Sequence, residues 1–191
     1  PISALLARRR IKLPTAPQLN RPLRWGLIAI GILLAMGMTL YVLWAINDFI
    51  PHNQDAIAQL AHAKMLAGGR FSVPISEPIV QGHFNCDFMV YHDGRWFSQY
   101  TPGHIVMLAL GVLMGPPWIV LVLIAGATVW LAYAIGKQID GPTAGLLSMG
   151  LLVLSPFFQM MTASYMNHVS AALFWSAALA FLPLMDRKRS F

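Results

Sequence analysis

The sequence predicts an all-α polytopic membrane protein of about four transmembrane helices, with a large extracytoplasmic first loop that holds short helices and a hairpin. Three observations lead there. Hydrophobic residues make up 57% of the 191 residues and charged residues only 10%, where a soluble domain carries about 25% charged residues. Mean hydropathy is +0.61, and the apolar residues fall in long blocks. The basic residues sit beside those blocks, so the net charge of +6 follows the positive-inside rule and does not point to nucleic acid. Cys86 is the only cysteine, which excludes an internal disulfide and Cys/His zinc spacing.

Residues 1–22 read as a cytoplasmic tail, with Arg8, Arg9, Arg10 and Lys12 followed by Pro14, Pro17 and Pro22. Leu23 to Ile46 is the first span: a hydrocarbon core of about 30 Å needs roughly 20 apolar residues of helix, and this block exceeds a secretory h-region. Trp118 to Gly136 is the second span, opened by Pro116-Pro117, because proline is tolerated where the first helical N–H groups lack partners. Lys137 to Gly141 forms a short connection. The apolar stretch from Pro142 to Met185 exceeds one span. Ser155-Pro156 and the polar run Thr162 to Asn167 divide it into helices at about 142–161 and 167–185.

His104 to Met114, at about 11 residues, spans poorly, and charge parity decides its place. If it lies at the interface, Lys137 and Arg187-Lys188-Arg189 fall on the same side as the N-terminal arginines, as the positive-inside rule requires. The membrane module is then 23–185, its outer loop about 47–116, and both termini are cytoplasmic in a plasma or inner membrane. The chain starts at Pro1 and stops at Phe191 just after an apolar block. It therefore reads as an N-terminal fragment whose cytoplasmic end, 186–191, is cut short.

The outer loop concentrates the polar chemistry. It holds Asp48, Asp55, Glu77, Asp87 and Asp93, and five of the six histidines when His104 is counted at its edge. Asn53 to Ala56 precede Ile57 to Leu66, whose apolar positions Ile57, Leu60, Ala61 and Met65 follow helical spacing, and Gly68-Gly69 ends the helix. Phe71-Ser72-Val73-Pro74 leads away extended. Phe88 to Tyr91 and Arg95 to Ser98 flank His92-Asp93-Gly94, a hairpin signal.

This layout resembles the N-terminal module of the GT-C membrane glycosyltransferases, especially the dolichyl-phosphate-mannose–protein mannosyltransferase-like family (glycosyltransferase family 39). Four stretches carry the resemblance: Asp55 with the small helix running to Gly68-Gly69-Arg70-Phe71; Tyr100-Thr101-Pro102-Gly103-His104 opening an amphipathic helix that ends at Gly115; Gly136-Lys137 through Ser155-Pro156-Phe157-Phe158; and Ser164-Tyr165-Met166-Asn167-His168. Many relatives carry Asp-Glu where this chain has Asp55-Ala56.

The resemblance implies a sugar transferred from a polyprenyl-phosphate donor to an acceptor on the extracytoplasmic face. Asp55 would act as general base on the acceptor hydroxyl, or help hold a divalent metal. An attacking hydroxyl needs a nearby base, and a phosphate leaving group needs cationic or hydrogen-bonding stabilisation. Tyr100, His104, Asn167 and His168 are the candidate substrate-binding residues, with His168 toward the carrier phosphate or a metal.

Each has a plainer reading. Asp55 suits a helix N-terminus by its charge alone. Asp48 rivals it but reads as a solvated interface residue. His104 also fits a helix-start residue with a satisfied ring. Asp87, His92 and Asp93 could in principle bind a metal, but Asp93 also fits the turn. No dedicated metal site is assigned, and the cofactor and acceptor are unknown. The alternative function is a noncatalytic membrane scaffold, or a transporter-like subunit, with a partner-binding outer loop. A transporter would need ionisable groups in its spans, and these blocks have essentially none.

Overall fold

A computed structural model describes residues 20–75 and 87–187. The basic cluster Arg8 to Lys12, together with Glu77, Cys86 and Arg187's neighbours Lys188 and Arg189, lies outside the described residues. Within them the chain is mostly helical. In chain order it forms α1 (Arg21–Ala45), α2 (Gln54–Ala67), β1 (Val73–Pro74), β2 (Met89–His92), β3 (Arg95–Ser98), α3 (Pro102–Met114), α4 (Trp118–Val153), α5 (Pro156–Thr162) and α6 (His168–Arg187).

Two helices, α1 and α4, are long and apolar enough to cross a membrane. The Asn20 side chain caps α1 by accepting from the Leu23 N–H at 3.1 Å, and Pro22 sits in its first turn, where no donor is lost. At 25 residues the helix is about 38 Å long. Its outward face is apolar as well: Leu33 is 66% exposed and Trp44 63%. An amphipathic surface helix in water would place polar residues there.

α4 is two helices meeting at a kink. Asp140 (φ −146, ψ 36) and Gly141 (φ 81, ψ −174) leave helical geometry, and Pro142 starts the second half. The expected connection from Lys137 is therefore shorter than the sequence suggested. Lys137, Gln138 and Ile139 stay helical: the break is confined to Asp140 and Gly141, and Pro142 directly restricts only Gly141, the residue before it.

A second interruption falls at Leu154-Ser155. Ser155 caps α5 by accepting from Phe158 N–H at 3.3 Å, with Pro156 at its start. The break leaves the Val153 carbonyl without its helical partner, and the Gln159 Nε2 donates to it at 2.9 Å. Thr39 of α1 donates to Gln159 Oε1 at 3.1 Å, and its hydroxyl lies 3.2 Å from that of Thr162. All three side chains are buried, so the interruption is satisfied internally, as a water-poor environment demands.

Two apolar clusters occupy opposite ends of α1. One joins Ile28 and Ala35 to Val129, Tyr133, Met149 and Val153. The other joins Val42 and Leu43 to α2, α3, the start of α4, the α5–α6 connection and Val169. The second end is the loop end, where the candidate residues gather.

The hairpin forms as the sequence predicts. β2 and β3 pair antiparallel with Tyr91 opposite Trp96, and His92 opposite Arg95. Asp93 (φ 49) and Gly94 (φ 71) both take the left-handed conformation, the geometry of a tight hairpin turn. The extended Val73-Pro74 adds to β3, giving a three-stranded sheet in the order β1-β3-β2. The all-α expectation therefore needs this small sheet added to it.

Candidate functional site

Asp55 lies in the first turn of α2. Asn53 caps this helix, its side chain accepting from the Ala56 N–H at 2.8 Å. The carboxylate is half-buried and accepts a hydrogen bond from the Tyr100 hydroxyl. Tyr100 lies at the turn into α3, 45 residues away in sequence, and its ring packs on Phe88 with centroids 5.9 Å apart. Tight packing of α2 against α3 (Ala56, Leu60 and Ala63 beside Ile105, Leu108 and Ala109) makes the meeting. Small residues on α2 let the two helices approach closely.

His104 is 4% exposed. Its Nε2–H donates to the Tyr165 carbonyl at 3.0 Å, which fixes the tautomer and leaves Nδ1 buried without a partner. Burial lowers its pKa to about 4, against a smaller raising effect of that hydrogen bond, so the ring is neutral. Tyr165 is fully buried in a left-handed conformation (φ 61). Its hydroxyl donates to the Phe49 carbonyl at 2.7 Å, and desolvation pushes its pKa up to about 12. The Asn47 amide returns the link by donating to the Ala163 carbonyl at 2.8 Å. The segment after α1 and the α5–α6 connection are thus pinned to each other and to α3.

Asn167 and His168 lie at the start of α6 and interact with each other, His168 Nδ1 lying 3.0 Å from Asn167 Oδ1. His168 is exposed. Among the described residues, no hydrogen bond or ion pair joins His168 to the Asp55–Tyr100 pair. The candidates therefore fall into three local groups: Asp55 with Tyr100, His104 with Tyr165, and Asn167 with His168. Asp48 is exposed, in keeping with a solvated interface residue.

The described residues contain no group of three His, Cys, Asp or Glu side chains placed to hold a metal ion. Of the loop trio, His92 and Asp93 form an exposed pair at 3.3 Å, and Asp93 serves the turn. Arg95 of β3 donates to the Ser72 hydroxyl at 3.1 Å, linking the strand to the residue just before β1.

Sequence reasoning passed over Gln59 and His62. Both are buried on α2. His62 Nε2–H donates to the Phe71 carbonyl at 2.8 Å, and its ring meets that of Phe71 edge-on at 5.0 Å. Desolvation lowers its pKa, partly opposed by that hydrogen bond. The available signal was spacing: four and seven residues after Asp55 is one helix face. Comparison with protein-family profiles, curated proteins and solved structures found no match.

Proposed function

We propose that this chain carries the acceptor-activating end of a membrane glycosyltransferase site, with Asp55 as general base. The acceptor oxygen attacks the anomeric carbon of a polyprenyl-phosphate-linked sugar. The bond from that carbon to the phosphate oxygen breaks, polyprenyl phosphate leaves with the electron pair, and Asp55 takes the acceptor's proton. The observation that carries this reading is the Tyr100–Asp55 hydrogen bond. It joins the two loop motifs of the glycosyltransferase resemblance and holds a half-buried carboxylate in one orientation, as a base requires.

The same reading gives the chain four membrane crossings: α1, residues 118–139, residues 142–162 and α6. The supporting argument is antiparallel order. The C-terminus of α1, the start of α4, the end of α5 and the start of α6 all contribute to the loop-end cluster. α3, at 13 residues, is about 20 Å long and lies at the interface. The charge distribution supports cytoplasmic termini, and the membrane proposed is the plasma or inner membrane. The Asp55–Tyr100 pair is then extracytoplasmic and near the membrane surface, where a lipid-linked donor presents its phosphate.

The test is transfer of radiolabelled sugar from polyprenyl-phosphate donors in membranes, comparing wild type with Asp55→Asn at equal expression. Loss of transfer in the variant alone is expected, by about a hundredfold or more. Equal transfer by both proteins would remove Asp55 from the chemistry. No transfer by either would favour the noncatalytic scaffold.

A further inference from the structure

We infer that the Arg24 guanidinium, set beside the kink of α4, binds the phosphate of an anionic phospholipid in the leaflet at that end of the molecule. The inference rests on the membrane crossings proposed above and not on Asp55. With those crossings the leaflet is the cytoplasmic one.

The packing of α1 on α4 places the site. Arg24, Ile28, Gly31 and Ala35 recur at helical spacing, so they share one face of α1. On that face Ile28 and Ala35 pack with Val129, Tyr133 and Met149. One turn before Ile28 stands Arg24, and one turn after Tyr133 stands Lys137. Gly31 lies against the Met149 side chain. Two turns before Gly31 stands Arg24 again, and two turns before Met149 stands Pro142. Arg24 is therefore level with Lys137 and with the kink at Asp140 and Gly141.

Arg24 is half-buried. Its Nε is covered and has no hydrogen-bond partner. Its two terminal nitrogens remain accessible, and among the described residues they make no hydrogen bond or ion pair. Asp140, exposed at the kink, forms no ion pair with it. A guanidinium held against a helix with no carboxylate to face presents a planar fork to phosphate oxygens. Arg21 and Lys137 are exposed at the same end and add charge of the same sign. The sequence places Arg8, Arg9, Arg10 and Lys12 just before α1.

The surroundings favour a lipid over free phosphate. Leu23 (50% exposed), Trp25 (52%) and Ile30 (54%) lie on the neighbouring outward faces of α1. A phospholipid can set its phosphate on Arg24 and run its acyl chains along them, whereas free phosphate gains the charge alone. An exposed tryptophan beside cations at the end of an apolar helix also suits the headgroup level.

The test follows the thermal unfolding midpoint of the full chain in an uncharged detergent as phosphatidylglycerol, phosphatidylcholine or glycerol 3-phosphate is added. Wild type, Arg24→Gln, Arg24→Lys and Arg70→Gln are compared. Arg70 is an exposed cation at the loop end, so Arg70→Gln changes the net charge as Arg24→Gln does. Phosphatidylglycerol should raise the midpoint of wild type and Arg70→Gln at concentrations where the other two compounds do not. Arg24→Gln should need about tenfold more, the equivalent of one lost charge-assisted hydrogen bond. Arg24→Lys keeps the charge without the fork and should fall between. Without lipid, Arg24→Gln should unfold near wild type, because the Arg24 side chain gives up no hydrogen bond within the protein.

Equal responses of wild type and Arg24→Gln to phosphatidylglycerol overturn the inference. Equal responses of wild type to phosphatidylglycerol and phosphatidylcholine overturn it too. So does a loss in Arg70→Gln as large as in Arg24→Gln, which makes the effect one of net charge. A full shift by glycerol 3-phosphate overturns the lipid as occupant and assigns Arg24 to free phosphate. If Arg24→Gln fails to fold, the comparison of Arg24→Lys with wild type decides. A micelle has no sides, so a reversal of the proposed crossings, found by labelling Asp140→Cys on intact cells, is read separately from lipid binding.

Discussion

Tyr100→Phe deletes one hydroxyl and keeps the ring that packs on Phe88. Asp55 then loses its hydrogen-bond donor. If Asp55 is the base, sugar transfer should slow by about fivefold in kcat with little change in KM, since the hydroxyl orients the carboxylate and an ordinary hydrogen bond contributes about 1 kcal/mol. Initial rates over a range of acceptor concentrations check this, with circular dichroism to show that the fold is retained. The His104 ring supplies a second residue-scale prediction. An unfolded histidine takes a proton near pH 6.5, and the folded ring only near 4. Between those values the unfolded chain binds a proton that the folded chain excludes, so stability falls as pH drops through this window. The loss reaches about 3 kcal/mol at pH 4, with His62 adding in the same direction. The thermal midpoint of His104→Gln, which keeps a donor for the Tyr165 carbonyl, should depend less steeply on pH than that of wild type.

At the scale of elements, the two halves of α4 lie against each other through glycines. A Cβ added at Gly145 would sit 2.7 Å from the Tyr133 carbonyl oxygen, and one at Gly136 would sit 2.7 Å from that of Ala144. Backbone oxygens cannot step aside as flexible side chains do, so Gly145→Ala should destabilise by about 1–3 kcal/mol. Gly150→Ala is the contrast. Nothing lies within 4 Å of its Cβ position, and this substitution should be neutral or slightly stabilising. Unfolding midpoints of the pair separate close packing from helix propensity. The break after α4 makes a parallel case. Gln159→Leu would strip the Val153 carbonyl of its side-chain donor and leave the Thr39 hydroxyl with Thr162 alone, and should cost about 1–3 kcal/mol.

At the scale of the whole molecule, the proposed four crossings make a prediction about sidedness. With Cys86→Ser as background, single cysteines at His92 and at Asp140 should react with a membrane-impermeant maleimide from opposite sides. His92 should label on intact cells, and Asp140 only on inverted vesicles. Both positions are exposed, so reactivity reports sidedness and not burial. Labelling of both from the same side would mean that α3 crosses the membrane, and would reverse every later helix.

The sequence by itself determined the long helices, the hairpin and the division of the chain into apolar blocks and one polar loop. These depend on local physics: block length, proline and glycine at helix boundaries, and an Asp-Gly turn between β-branched and aromatic runs. Asn53, Ser155 and Gly68 act within a few residues of themselves, so their effects can be read along the chain. The kink proved shorter than its polar composition suggested, because Lys137 and Gln138 keep helical geometry at an exposed end. Only the tertiary structure decided which candidates meet. Tyr100 reaches Asp55 because α2 and α3 pack through small residues, and His104 turns inward because Tyr165 offers its carbonyl there. Gln59 reads as an ordinary polar helix residue until the packing of α2 buries it without a partner. Such pairings depend on contacts between segments distant in sequence, and neither spacing nor composition along one segment encodes them.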